Sequence, residues 1–188
     1  DSMSWSFLFE TLRRYGFSDR FPGWITILLS SASTKILLNG IPGPAIWHRC
    51  GLRQGNPVSP QLFVLTVDML GRLFHHAAEL NVLQQLHPRR AIPIISVYAD
   101  DVILFCHPSA GDTLAVREIL QLFGRASGLR VNFQKSTATA IQCDGEVIGL
   151  AVATLDARLR KSTSPTWESP SHSDAKPPLN SNPSSTKI

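Results

Sequence analysis

The stretch that decides the fold is Ile94–Cys106, which reads IISVYADDVILFC. Two apolar runs, rich in β-branched and aromatic residues, flank Ala99-Asp100-Asp101, and this pattern predicts a strand, a tight turn and a second strand. Adjacent carboxylates at a hairpin tip repel one another, and a bound divalent cation relieves that repulsion. Mg²⁺ prefers carboxylate oxygens together with phosphates and water, so the tip is a candidate magnesium site. A solvated turn, in which aspartate is common, is the alternative interpretation.

A second segment whose residues could bind a ligand precedes the hairpin. It is Gly51–Pro60, which reads GLRQGNPVSP. Gly51 and Gly55 permit close approach of the backbone to a ligand, and Arg53 and Gln54 offer hydrogen-bond donors to phosphate or sugar oxygens. An ordinary connection between a strand and a helix would have a similar composition. The segment alone therefore does not separate a binding loop from a structural one.

The remaining periodicity predicts an α+β fold, with an antiparallel sheet flanked by helices. We expect helices at residues 5–14, 23–31, 60–80 and 109–127, and strands at 34–38, 45–50, 94–98, 102–106, 129–133 and 137–141. Because Pro42-Gly43-Pro44 follows Asn39-Gly40, the loop between the first two strands is expected to exceed two residues. Trp5, Trp24 and Trp47 are interpreted as core anchors.

The composition excludes several classes of protein. The chain has 188 residues, with 18 Lys and Arg against 14 Asp and Glu, and its net charge of +4 is compatible with a polyanionic partner. Three cysteines without a C-x-x-C pair argue against a disulfide framework and against a zinc site. No apolar run reaches the roughly 18 residues of a membrane span, so no membrane association is expected.

The composition changes near residue 160. Of the 28 residues from Lys161 to Ile188, 16 are Ser, Thr or Pro and four are apolar. Such a stretch buries too little surface to offset the entropy of ordering it. We therefore expect a globular domain at 1–160 and a disordered tail at 161–188, for which translation in a shifted reading frame is one explanation.

Taken together, the two segments resemble the palm of a reverse transcriptase. An R-Q-G-x-P-x-S-P loop followed by Y-A-D-D is similar to the LINE-type (non-LTR) retrotransposon enzymes of plants. The resemblance covers about residues 1–155. Asp1–Trp5 is similar to the end of the family's A-F-D-x-x-x-W segment, and Gly128–Ser136 to its G-L-x-x-N-x-x-K-[ST] motif.

The resemblance implies a palm-like fragment and a two-ion Mg²⁺ reaction, RNA-templated DNA synthesis from deoxynucleoside triphosphates on a DNA primer. It implies that Asp100 and Asp101 are the catalytic, metal-binding carboxylates. Lys135 would act near the triphosphate and the leaving pyrophosphate, and Tyr98 beside the primer end. The implied substrate-binding residues of the loop are Arg53, Gln54 and Gly55, which would frame the nucleotide and the template.

The sequence also differs from the family pattern, and these differences lead to further predictions. Asp1 matches the last aspartate of D-x-x-K-A-F-D, whereas the metal ligand is the first, and Asn56 stands where the family has Asp. We expect a partial enzyme without the fingers, the thumb and the third carboxylate, inactive alone, from an element that acts in the nucleus or cytoplasm. The alternatives are a non-catalytic nucleic-acid-binding remnant, a pseudogene product, and a group II intron-type enzyme, which would need a maturase segment downstream.

Overall fold

The computed structural model describes residues 2–87, 92–141, 143 and 145–160. The elements in chain order are α1 Trp5–Arg14, α2 Arg20–Ser30, β1 Ser33–Leu38, β2 Ile41–Trp47, α3 Ser59–Glu79, β3 Ile95–Tyr98, β4 Asp101–Leu104, α4 Ala110–Ser127, β5 Thr137–Thr139, α5 Gly145–Leu155 and β6 Arg158–Arg160. The predicted α+β class, with helices around small antiparallel sheets, is confirmed. The predicted tail at 161–188 and the motif residue Asp1 lie outside the described residues.

Helix α3 is the central element, because its two halves pack into different parts of the core. Near its start, Leu62 joins a cluster with residues of α1 and α2, among them Leu8 and Ile25. Near its end, Leu70 and Phe74 join a second cluster with α4 and Leu83. The apolar side chains recur at helical spacing, so one stripe of α3 faces both clusters.

The β1–β2 hairpin corrects the predicted loop length. Leu38 pairs directly with Ile41, so Asn39 and Gly40 alone form the turn, both with positive φ (51° and 81°). Strand β2 then includes Pro42-Gly43-Pro44, which the prediction assigned to the loop. A register shift between Lys35 and Leu37 places an extra β2 residue opposite β1. A bulge of this kind, in a sheet of two edge strands, accommodates prolines that cannot donate to the ladder.

Two of the three tryptophans interpreted as core anchors, Trp24 and Trp47, are exposed, so that interpretation was wrong for them. Helix α2 buries Pro22, Ile25 and Leu29, whereas Trp24 is 67% exposed. Trp47, in β2, is 62% exposed. Because the sequence of α2 is apolar nearly all round, it does not indicate which side of the helix faces the core.

The C-terminal part of the domain contains one confirmed helix and three differences from the prediction. Helix α4 begins as predicted after Ser109 and ends at Gly128, which has a φ of 79°. Helix α5 was not predicted, and β5 pairs with β6 in parallel, unlike the other two sheets. Residues 129–133 form no strand, although Leu129, Val131 and Phe133 pack against the core in the alternating manner of one.

Residues 2–4 are docked against the end of α4. The backbone N–H of Ser4 donates to the carbonyl oxygen of Ser127 at 2.7 Å, and the hydroxyl of Ser2 donates to the carbonyl oxygen of Gly128 at 2.7 Å. A Cβ at Gly128 would lie 2.3 Å from the carbonyl oxygen of Ser2. The glycine is therefore required both by its positive φ and by this close approach.

Candidate functional site

A cavity of about 1010 Å³ lies between the loop before α3, one face of α3 and the β3–β4 hairpin. The loop contributes Arg53, Gln54 and Gly55, and the hairpin tip contributes Asp100. Two segments that are more than 40 residues apart in sequence thus border one space. The structure brings together four of the residues that the resemblance selected.

The loop is held in shape by hydrogen bonds at both of its ends. At its start, the N–H of Gly51 donates to the carbonyl oxygen of Met3 at 2.7 Å. At its end, the hydroxyl of Ser59 donates to the carbonyl oxygen of Arg53 at 2.8 Å, and Oδ1 of Asn56 accepts from the N–H of Val58 at 3.0 Å. This Asn56 contact uses a side-chain oxygen that aspartate also has, so the family's Asp could form it equally. The side chains of the loop tip are left exposed toward the cavity.

The tight turn predicted between β3 and β4 is present. It has two residues, because Tyr98 pairs directly with Asp101, and Asp101, which the prediction assigned to the turn, begins β4. Ala99 has a φ of 52°, while Asp100 does not have a positive φ, which is the pattern of a type II′ turn. Directly paired residues lie on the same face of an antiparallel ladder. Ile95 and Val97 line the cavity, so the alternating Tyr98 and its partner Asp101 lie on the opposite face.

The two faces separate the hairpin residues that the resemblance grouped together. Asp100, in the turn, lines the cavity; Asp101 and Tyr98 are not among the described residues that line it. Tyr98 is 82% exposed. A ligand in the cavity can therefore contact Asp100 directly. To contact Tyr98 as well, it must extend around the tip of the hairpin.

The carboxylates of Asp100 and Asp101 provide the oxygen donors that suit Mg²⁺, but not a full set of ligands. Within the part of the chain that the structure describes, no three or more His, Cys, Asp or Glu side chains cluster closely enough to hold a metal ion. The type of donor fits the ion that the family resemblance implies. The number of donors requires further ligands from substrate phosphates, water or another carboxylate.

Lys135 is the predicted catalytic residue in the segment that follows α4. It belongs to a turn in which its N–H donates to both the carbonyl oxygen and Oδ1 of Asn132, each at 3.1 Å. Its side chain is exposed, and it is not among the described residues that line the cavity.

One group at the cavity was missed from the sequence: Tyr15 of α1 with Asp68 and Arg72 of α3. The hydroxyl of Tyr15 donates to Oδ2 of Asp68, and Nε of Arg72 donates to the same oxygen at 2.9 Å. The Arg72 guanidinium lies 4.8 Å from the centroid of the Tyr15 ring. Asp68 and Arg72 line the cavity. Their i, i+4 spacing on a helix was a usable signal, whereas the contact with Tyr15 was not.

The electrostatics of this group follow from its hydrogen bonds. The bond from Tyr15, followed by that from Arg72, lowers the pKa of Asp68 below its ordinary value. Burial, followed by the bond to Asp68, raises the pKa of Tyr15. The bond to Asp68 raises the pKa of Arg72. At neutral pH the group therefore consists of a carboxylate, a guanidinium and a neutral phenol.

Comparison with protein families decides the identity of this domain. The family model described as reverse transcriptase (RNA-dependent DNA polymerase) matches residues 1–169. The chain belongs to the reverse transcriptase family. The match extends nine residues beyond the domain boundary predicted at residue 160, and that boundary and the nature of the tail stay predictions.

The reverse transcriptase domain is similar to proteins of retrotransposons. It is 30% identical over 138 residues to the transposon TX1 uncharacterized 149 kDa protein of Xenopus laevis, covering 73% of this chain and 10% of that protein. It is 28% identical over 142 residues to the retrovirus-related Pol polyprotein of the type-2 retrotransposable element R2DM of Drosophila melanogaster, covering 76% and 13%. An uncharacterized mitochondrial protein of Arabidopsis thaliana is 36% identical over 67 residues, covering 35% and 55%.

These matches show a reverse transcriptase domain homologous to non-LTR retrotransposon Pol proteins. The domain spans about a tenth of the length of the first two relatives. None of the helices in its described residues combines the length and apolar character needed to cross a bilayer.

Proposed function

We propose that this reverse transcriptase domain provides the metal-binding and template-framing part of a LINE-type polymerase that copies RNA into DNA. The observation that carries the proposal is the shared cavity, in which Arg53, Gln54 and Gly55 border the same space as Asp100. Its substrates would be an RNA template, a DNA primer and deoxynucleoside triphosphates. The identity with the Arabidopsis protein supports a plant element as the source.

Asp100 and Asp101 are the residues that would hold Mg²⁺, with Asp100 facing the cavity. When bound, a pair of such ions stabilises charge on both the attacking and the leaving oxygen of an in-line phosphoryl transfer. Arg53 and Gln54 place N–H donors at the exposed tip of a loop that is fixed at both ends, which suits them to orient phosphate and sugar oxygens. Tyr98 supplies an exposed aromatic surface beside the tip, on which a primer nucleotide can stack.

Lys135 can act on the leaving pyrophosphate only under one condition. Its side chain is exposed and does not line the cavity in the described chain, so it can neutralise a leaving pyrophosphate only if the triphosphate extends beyond the cavity. A cation that stabilises developing charge must lie within hydrogen-bond distance of it.

We further propose that the domain alone is inactive in polymerisation. Each ion in a two-ion site needs several oxygen ligands in near-octahedral geometry, and the carboxylates of Asp100 in the turn and Asp101 at the start of β4 provide too few. Loss of one preorganised electrostatic group typically lowers a rate by about 10²–10³. The remaining ligand would come from another part of the longer polymerase.

Metal binding tests the proposal directly. Mn²⁺ prefers the same oxygen ligands as Mg²⁺ and is detected by electron paramagnetic resonance. We expect Asp100→Asn to weaken Mn²⁺ binding at least about tenfold, because the cavity-facing carboxylate loses its charge. Asp19→Asn is the matched control, since Asp19 is a highly exposed carboxylate paired only loosely with Arg13 at 3.7 Å. Equal binding by wild type and Asp100→Asn would overturn the metal assignment and favour the non-catalytic remnant.

Primer extension tests the inactivity of the isolated domain. The reaction contains an RNA template, a DNA primer, deoxynucleoside triphosphates and Mg²⁺ or Mn²⁺. We expect no template-dependent incorporation by wild type. Incorporation that disappears in an Asp100→Ala, Asp101→Ala variant would show that the domain is a complete catalyst and that the incomplete site is a wrong inference.

A further inference from the structure

Two arginines line the cavity, Arg53 in the loop before α3 and Arg72 within α3. Arg53 belongs to the loop tied to the start of α3 through Ser59, and Arg72 lies about two thirds of the way along the helix. From Ser59 to Arg72 there are thirteen residues, which at about 1.5 Å each span about 20 Å. One nucleic-acid strand advances about 3.4 Å per nucleotide, so this span corresponds to about six steps. A ligand that follows α3 over the whole of this span is therefore longer than a mononucleotide, and a nucleic-acid strand has the required length.

The side chain of Arg72 is held in a defined orientation. Its Nε donates to Asp68 at 2.9 Å, its guanidinium lies 4.8 Å from the ring centroid of Tyr15, and the Tyr15 hydroxyl donates to the same Asp68 oxygen. A guanidinium carries five N–H groups, of which this bond to Asp68 uses the one on Nε. The terminal nitrogens belong to a side chain that is 62% exposed. They form the planar fork that matches a phosphate.

We propose that Arg72 binds a backbone phosphate of the template–primer duplex, and that Asp68 and Tyr15 are positioning residues that orient its guanidinium. The inference rests on the proposed function and extends its nucleic-acid contact from the loop tip to Arg72 of α3. The negative charge of Asp68 is opposed by its two hydrogen-bond donors, so it does not prevent a phosphate from approaching the other side of Arg72. His75, one turn further along α3, also lines this end of the cavity.

The chain contains a matched control for the Asp68–Arg72 pair. Glu10 and Arg14 of α1 have the same i, i+4 spacing and the same 2.9 Å distance between Nε and a carboxylate oxygen. Their side chains are similarly exposed, with 70% for Arg14 and 53% for Glu10. Neither is among the described residues that line the cavity. If surface charge alone determines duplex binding, substitutions in both pairs should change the affinity equally. If Arg72 contacts a phosphate in the cavity, only substitutions in the Asp68–Arg72 pair should change it.

The test is the affinity of the whole chain for an RNA–DNA hybrid duplex, measured by fluorescence anisotropy between 50 and 200 mM salt. We expect Arg72→Gln to reduce the slope of log affinity against log salt by about 0.7–0.9, the loss of one phosphate contact. The Arg14→Gln variant should retain the wild-type slope. Thermal unfolding of each variant is measured alongside, and a midpoint within about 3 °C of wild type is expected for these exposed pairs.

The positioning role of Asp68 is tested by whether Asp68→Asn weakens or strengthens duplex binding. Asp68→Asn removes a negative charge and would strengthen duplex binding if only overall charge mattered. We expect weaker binding instead, about two- to fivefold, because Arg72 loses the charged acceptor that orients it. Glu10→Gln, in contrast, should leave binding unchanged or strengthen it.

The outcomes separate this inference from the proposed function. Absence of duplex binding by wild type would overturn both. Binding by wild type with equal slopes for Arg72→Gln and Arg14→Gln would overturn the phosphate contact alone. Tighter binding by Asp68→Asn would overturn the positioning role.

Discussion

Trp5 and Gly51 are joined by a 2.8 Å hydrogen bond from the indole Nε1 to the carbonyl oxygen. The N–H of the same glycine donates to the carbonyl oxygen of Met3. The start of α1 therefore fixes the point at which the loop toward the cavity begins. The position of Arg53 and Gln54 depends on this attachment.

Trp5→Phe tests that attachment. Phenylalanine keeps most of the apolar contact but cannot donate to Gly51, so we expect the free energy of unfolding to fall by about 1 kcal/mol, as for a typical lost hydrogen bond. The measurement is urea denaturation followed by circular dichroism. Trp24→Phe is the control; because Trp24 is 67% exposed, its change should be smaller. Equal losses in both variants would contradict the proposed anchoring role of Trp5.

Ala99→Gly tests the conformation of the hairpin tip. A non-glycine residue in the left-handed region costs about 1 kcal/mol or more, while glycine adds about 0.5–1 kcal/mol of unfolded-chain entropy. Since Ala99 has a φ of 52°, we expect the two effects to leave stability unchanged or raised by up to about 1 kcal/mol. Ala110→Gly, at the start of α4, is the control, because it has the same entropic cost but relieves no strain from a positive φ. If Ala99→Gly is destabilised as much as Ala110→Gly, the assigned turn is wrong.

Asp112 is expected to be a major determinant of stability. Its side chain is 2% exposed, its Oδ1 accepts from the Ser109 hydroxyl at 2.9 Å, and its Oδ2 accepts from the N–H of Gln84 at 3.1 Å. Asp112→Ala leaves that N–H without its acceptor, and we expect a loss of about 2–3 kcal/mol in unfolding free energy.

A comparison of two helix caps refines this expectation. Ser109 accepts from the N–H of Asp112 at 3.1 Å, whereas Ser4, the N-cap of α1, accepts from the N–H of Phe7 at 3.4 Å. We expect Ser109→Ala to cost about 1 kcal/mol, and Ser4→Ala to cost less. Denaturant midpoints of the two variants make the comparison, and the reverse order would show that cap distance does not decide the cost here.

The pKa of Asp68 gives a prediction in acid. Its hydrogen bonds from Tyr15 and Arg72 lower the pKa of this carboxyl in the folded state. Its contribution to stability is therefore present above the unfolded pKa of about 3.9 and is lost as the pH falls through the lower folded value. Carboxyl-carbon NMR titration should show that Tyr15→Phe moves the pKa of Asp68 back toward its ordinary value. Tyr98→Phe, on the hairpin, should not; an equal shift in both variants would exclude the Tyr15 bond as the cause.

Features set by local chemistry were predictable from the sequence. The Ala99-Asp100 turn, the cap at Ser109 and the stripe of α3 each depend on neighbouring residues, and all three are present in the structure. The loop and the tip were selected as site residues through their motifs. Their common cavity is a tertiary feature that no local pattern contains.

What escaped prediction depends on distant partners. Tyr15 and Asp68 are 53 residues apart in sequence, and nothing near either residue indicates the other. The Pro42-Gly43-Pro44 segment reads as a loop, but a bulge allows it to pair. Asp101 was grouped with Asp100 by adjacency, although the alternation of the strand places only Asp100 at the cavity.

The docking of residues 2–4 onto the end of α4 has a consequence for the order of folding during synthesis. Ser4 and its partner Ser127 are separated by 123 residues, from 127 minus 4. Ribosomes add about 5–20 residues per second, so the N–H of Ser4 exists for about 6–25 s before its acceptor has been made. Helix α1 can pack against α2 in that interval, because both are complete by Ser30. The attachment that positions the first residues of the domain is therefore among the last native contacts to form on the ribosome.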